Sequence, residues 1–117
     1  MTRKQRIRRD IKKSMVNLGT YKVDFEPTIK ITVELVEQYE YFTELFKESG
    51  YDYQETTQTG TKKAPIVTTL ESLRKDILQY YAQLGLTPSG LQKLRSVADK
   101  KPGSQLGEIL RGLEDDQ

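Results

Sequence analysis

The sequence predicts a mainly α chain of four to five helices with one small β-hairpin, assembled as a homo-oligomeric ring. Three observations carry that expectation. Apolar residues recur at helical spacing in several separate segments. A short polar stretch alternates with period two around Thr59-Gly60. One long helix carries an apolar arc too wide for the surface of a monomer.

Residues 3–18 read as the first helix, because Ile7, Ile11, Met15 and Leu18 project within about 80° of each other at helical spacing. Arg6, Arg8, Arg9, Lys12 and Lys13 spread over the opposite side, and Gly19 supplies a stop. From Thr20 to Glu26 the alternation of Tyr21, Val23 and Phe25 predicts an extended segment, ending before Pro27, which suits a first helical position.

Residues 27–49 read as a long helix closed by Gly50. Ile29, Ile31, Val33, Leu35, Val36, Tyr39, Phe42 and Phe46 fill about 200° of its circumference, twice the stripe a surface helix needs. Glu34, Glu37, Glu40, Glu44 and Glu48 occupy most of the remainder. Burial on two sides is therefore expected, by another helix and by another subunit. The candidate subunit interface is Ile31, Leu35, Tyr39, Phe42 and Phe46.

Residues 51–64 alternate Tyr51, Tyr53, Glu55 and Thr57 with Asp52, Gln54, Thr56 and Gln58, which predicts a hairpin with a polar tip. Thr68 and Glu71 have capping-box spacing and are expected to start the next helix. Leu70, Leu73, Ile77, Tyr80, Tyr81 and Leu84 form its narrow apolar face, ending at Gly85. Thr87 caps and Pro88 opens a short helix to about residue 98 carrying Leu91, Leu94 and Val97. Beyond the linker Lys100-Lys101-Pro102-Gly103, Ser104 can cap a last amphipathic segment with Leu106, Ile109, Leu110 and Leu113. These divisions give a basic N-terminal helix (1–19), a helical oligomerisation core (20–101) and a C-terminal docking segment (103–117).

Composition narrows the chemistry. The 117 residues contain no Cys and no His, so zinc fingers, thiol nucleophiles, Ser-His triads and disulfide frameworks are unavailable. No apolar run reaches the roughly 20 residues of a membrane span, and the N-terminus lacks the apolar core of a signal peptide, so a soluble intracellular protein is expected. A Gly-rich phosphate loop of the G-x-x-x-x-G-K-[ST] type is absent. Leu, Ile, Val and Phe make up about 25% of the chain, enough to fold but with a thin core that further copies would supplement.

The net charge of +2 conceals strong polarity. Residues 1–13 carry +6, residues 14–64 carry −4, residues 65–101 carry +3 and residues 102–117 carry −3. Arg3, Lys4, Arg6, Arg8, Arg9, Lys12 and Lys13 are the candidate DNA-binding set, pairing with phosphates and releasing counterions. A solvated helix face and a membrane-surface helix are the alternatives, the latter disfavoured because Ile7 and Ile11 make a narrow face without Trp or Phe. Thr87-Pro88-Ser89-Gly90 could be the turn of a helix-turn-helix with Lys93 and Arg95 on its second helix. A cap between two packed helices is favoured, since that second helix offers few base-reading side chains. Tyr51 and Tyr53 could stack on bases, although packing is the commoner role at a hairpin foot. The glutamates share one helix face, a pattern of solvation or subunit contact rather than of a nuclease metal site.

The run Leu84-Gly85-Leu86-Thr87-Pro88-Ser89-Gly90-Leu91, preceded by Leu70-Glu71-Ser72-Leu73-Arg74-Lys75, resembles the P27 family of phage terminase small subunits. The order of a basic helix, a long aromatic- and Glu-rich helix, a Gly-containing polar hairpin and a further helix is similar to that family over about residues 20–95. Gly90-Leu91 departs from the Ser-Arg type of continuation many members show. The resemblance implies a non-enzymatic DNA-recognition component of a genome-packaging motor, acting in the cytoplasm of the infected host. It implies a ring that binds double-stranded phage DNA and regulates the large ATPase-nuclease subunit, without cofactor, metal, catalytic residue or membrane partner. The C-terminal residues Leu106, Ile109, Leu110 and Leu113 are the expected docking element for that partner. Two other classes remain: a helix-turn-helix transcriptional regulator, and an assembly adaptor that does not touch DNA.

Overall fold

Helix α1 (Arg3–Leu18) opens on a reciprocal cap: the Thr2 hydroxyl accepts from the Gln5 amide, and the Thr2 amide donates to the Gln5 side chain. It closes on Gly19 at φ +74°, where the Gly19 and Thr20 amides donate to the carbonyls of Val16 and Met15. The computed structural model describes residues 1–100. After α1 come a 3₁₀ turn (Val23–Phe25), α2 (Glu26–Glu48), β1 (Gln54–Thr57), β2 (Gly60–Lys63), α3 (Pro65–Gln83) and α4 (Pro88–Lys100). The mainly helical class with one small hairpin is thus observed.

Helix α2 is the centre of the fold, packed on α3 along one side and on α1 along another. Ile7, Ile11 and Met15 of α1 meet Ile29, Val33 and Val36 of α2 and Leu84 beyond α3, with Tyr21, Phe25, Ile77 and Tyr81 around them. Thr32 is fully buried within α2, and its hydroxyl donates to the Thr28 carbonyl, so no polar atom is orphaned there. The two sides of α2 are therefore served first by helices of the same chain.

Three local expectations are corrected. The segment Thr20–Glu26 is not extended: Val23 is 72% exposed and sits in a 3₁₀ turn, while Tyr21 and Phe25 pack on the core. Tyr21 and Phe25 are also four residues apart, a helical spacing, and a lone strand would leave its backbone groups without partners. The second correction concerns α3, which begins at Pro65 after an extended Ala64 rather than at Thr68. Proline presets the helical φ at the first position, and the Glu71 carboxylate pairs with Lys63 at 2.9 Å instead of closing a capping box. Third, Leu18 is exposed rather than part of the α1 core face.

The hairpin pairs Gln54 with Lys63, Glu55 with Lys62, Thr56 with Thr61 and Thr57 with Gly60. Its strands are solvent-exposed almost throughout. Tyr51 precedes it in a left-handed conformation at φ +62°, its ring edge-on to Phe46 at 5.6 Å. At the other end of α3 the chain turns through Gly85 at φ +74° into α4, whose Gly90 amide donates to the Thr87 hydroxyl as an N-cap requires. Gly90 packs against the backbone of Ala82, where a Cβ would stand 2.2 Å from the carbonyl oxygen. The segment carrying Leu106, Ile109, Leu110 and Leu113 lies outside the described residues.

Candidate nucleic-acid interface

The seven cations of α1 divide into two groups by whether an acid of α2 stands within ion-pair distance. Arg3, Lys4, Arg6 and Arg8 reach α2, which runs antiparallel, and meet its acids. Arg3 pairs with Glu44 at 2.7 Å, Arg6 with Glu40 at 2.6 Å and Arg8 with Glu26 at 2.6 Å. Lys4 lies 3.8 Å from Glu37, and Arg3 a similar distance from Glu40. The glutamate face of α2 is therefore in part an intramolecular partner for α1, a role neither solvation nor subunit contact had anticipated.

The pairs perturb each other's protonation. The hydrogen bond and charge of Glu40 hold the Arg6 guanidinium above its usual value. The Glu26 carboxyl is held below the ordinary carboxylate range, first by the hydrogen bond it accepts from the Tyr21 hydroxyl and then by Arg8. The same hydrogen bond raises the Tyr21 phenol. All these side chains remain partly in water, so they fix the orientation of α1 more than they stabilise it.

Arg9, Lys12 and Lys13 form no ion pair with α2. Among the described residues, Arg9 pairs only with its neighbour Asp10, at 3.2 Å. Lys12 lies over the Tyr21 ring, 4.9 Å from its centre, and neither Lys12 nor Lys13 has an acid partner among the described residues. At the C-terminal end of α1, a groove of about 120 Å³ is lined by Leu18, Thr20, Lys22, Phe25, Leu94 and Arg95. Lys22 was not among the sequence candidates, and Arg95 entered only with Lys93 in the helix-turn-helix alternative. Their separation by more than seventy positions hid their proximity.

The expected subunit-interface residues are distributed unevenly. Tyr39 turns toward α3, where Arg74 donates to its hydroxyl at 3.2 Å and draws the phenol below its ordinary value. Ile31 is 43% exposed, and Leu35, Phe42 and Phe46 are half-buried. Tyr41, exposed, stands edge-on to Phe42 at 5.4 Å.

The turn between α3 and α4 spans residues 84–87, and the family described as phage terminase, small subunit, matches residues 5–101, across every element described above. This chain belongs to that family. The small-subunit match covers α1, the hairpin and the α3–α4 turn alike, so the basic helix is part of the family unit and not an appendage. No curated protein and no solved structure matches. Among the described residues, no group of three or more acidic side chains is gathered to hold a metal ion. No described helix is long and apolar enough to cross a membrane.

Proposed function

We propose that this small subunit is the non-enzymatic DNA-recognition component of a viral genome-packaging motor, of the P27 kind, acting in the cytoplasm of the infected bacterium. It binds double-stranded phage DNA, assembles as a homo-oligomeric ring, and recruits and regulates the large ATPase-nuclease subunit. The family match across residues 5–101 carries this reading. The crowding of Arg3, Lys4, Arg6, Arg8, Arg9, Lys12 and Lys13 on one helix supports DNA as the ligand. Helix α1 is the DNA-binding element, residues 20–101 the oligomerisation core, and residues 103–117, with Leu106, Ile109, Leu110 and Leu113, the docking element for the large subunit.

The exposed and half-buried apolar residues of α2, Ile31, Leu35, Phe42 and Phe46, support a subunit contact beyond the intrachain packing. A contact joining two different surfaces and closing on itself makes a ring. Light scattering on the native particle tests this: more than two copies are expected, and Phe42→Glu or Phe46→Glu should dissociate them. A well-folded wild-type monomer at micromolar concentration would overturn the ring. Deleting residues 103–117 should leave the particle and its DNA binding intact while abolishing stimulation of the large subunit.

A transcriptional regulator of helix-turn-helix type is the second reading. It is favoured by the close packing of α3 and α4 across a short turn, with Gly90 against Ala82. Such a protein would be a dimer with its second helix in the major groove, so the same mass measurement separates the two.

A further inference from the structure

Building on the DNA-binding reading of α1, we infer that the phosphate-binding site is a composite patch at the C-terminal end of α1. Its members are Lys12, Lys22 and, from α4, Arg95. Arg3, Lys4, Arg6 and Arg8 are instead positioning residues that dock α1 on α2.

Ion pairing supplies the first argument. A cation already paired with a carboxylate must give up that partner to bind a phosphate, and its neighbouring acid then repels the incoming anion. Four of the seven α1 cations are in this position, facing Glu26, Glu37, Glu40 and Glu44. Lys12, Lys22 and Arg95 have no acid within ion-pair distance among the described residues, so none of them gives up a described pair to take a phosphate. Glu26 lies within electrostatic reach of Lys12, but its carboxylate already accepts from Tyr21 and pairs with Arg8. Asp24, exposed in the 3₁₀ turn, is the acid nearest in sequence to Lys22.

Rigidity supplies the second. Lys12 lies over Tyr21, the residue before Lys22, and Lys22 shares its groove with Arg95. The elements that bring them together are fixed at several points. The Thr20 hydroxyl lies within hydrogen-bonding distance of the carbonyls of Met15 and Leu84, tying the end of α1 to the end of α3. Gly85 is close enough to Leu94 and Thr20 that a Cβ would stand 2.7 Å from the Leu94 side chain, and Gly90 holds α4 on α3. A patch built on fixed elements binds an extended polyanion without ordering its own backbone first.

Two triple variants with equal loss of charge test the assignment: Lys12→Gln/Lys22→Gln/Arg95→Gln, and Arg3→Gln/Lys4→Gln/Lys93→Gln. Lys93 shares α4 with Arg95 but does not line the groove. Binding of a fluorescently labelled DNA duplex is followed by anisotropy across a salt series, with circular dichroism confirming that both variants are folded. The first triple should weaken binding about tenfold or more and reduce the log–log salt slope by about 0.9 for each phosphate that is no longer neutralised. The second should change affinity less than about threefold, the general effect of lowered charge. If the second triple melts before binding can be read, Arg3→Gln/Lys93→Gln is compared with Lys22→Gln/Arg95→Gln, each losing two charges, and the same limit applies. Equal losses in the two sets, or a larger loss in the second, overturn the composite patch while leaving DNA binding in place. A wild-type protein that binds no duplex even at low salt overturns the functional reading, and the patch with it.

Discussion

Gly90→Ala puts the α3–α4 packing to a direct test. In an ordinary helix interior this change is stabilising by about 1 kcal/mol, because glycine loses more backbone entropy on folding. Here the added Cβ would lie 2.2 Å from the Ala82 carbonyl oxygen, 2.6 Å from its Cα and 2.7 Å from its carbonyl carbon. Ordinary van der Waals separation begins at 3.4 Å, so the helices must separate by about 1 Å, and the atoms in the way are backbone. Overpacking of that kind costs about 1–3 kcal/mol, and with no side chain to swing aside the upper half applies. The net expectation is a loss of about 1–2 kcal/mol, or a drop in Tm of roughly 5–15 °C for a domain of this size. Thermal circular dichroism at fixed protein concentration reads it, with exposed Ser96→Ala as the control expected to stay within about 0.5 kcal/mol. Adding Ala82→Gly should not rescue the variant, because the clash is with main-chain atoms. A Gly90→Ala protein melting at or above the wild type would refute the close approach, and with it the fixed placement of Arg95 beside Lys22.

Two further predictions concern the core and the α1–α2 packing. Ile29→Ala removes a fully buried side chain where α1, α2 and Leu84 meet and should cost about 2–5 kcal/mol by denaturant titration. Glu26→Gln probes pH: a carboxyl whose folded pKa lies below its ordinary 4.5 adds stability above that value and loses it as pH falls through the folded value. The Tm gap between wild type and variant should therefore narrow below about pH 4.5, with Glu71, similarly depressed beside Lys63, keeping some acid sensitivity in both; a constant gap down to pH 3 would show the depression to be absent.

Much of the fold was legible because glycine and proline punctuate it. Gly19, Gly50 and Gly85 all occupy positive φ at or just beyond helix ends, and Pro65 and Pro88 both open helices. The long helix read as 27–49 runs from Glu26 to Glu48 for that reason. What misled was local chemistry with two readings. Tyr21, Val23 and Phe25 satisfy a period of two, and Tyr21 and Phe25 alone satisfy a period of four; only the core they pack on decides. Thr68 and Glu71 have the spacing of a cap, but a proline three residues earlier starts the helix first. The Thr2–Gln5 cap went unread in the sequence, although it uses the same spacing with Gln in place of Glu.

The ion pairs between α1 and α2 were not legible in the sequence, because charge was read along the chain and not across it. The basic side chains of residues 3–13 were assigned to DNA, and the glutamate face of the helix read as 27–49 to solvation or subunit contact. Yet two amphipathic helices joined by a short connection pack antiparallel through their apolar stripes, so the positions flanking those stripes must meet. Ile7 and Ile11 against Ile29 and Val33 bring Arg8 to Glu26, and Arg3 and Arg6 to Glu44 and Glu40. The opposite signs of the two segments were the signal that could have shown this. Lys12 and Lys13 form no ion pair with those acids, although Lys12 still acts on Glu26 through its charge. What a cation on α1 does is thus read from the acids opposite it on α2: Arg3, Lys4, Arg6 and Arg8 each meet one and hold the helix in place, whereas Arg9, Lys12 and Lys13 form no ion pair with α2.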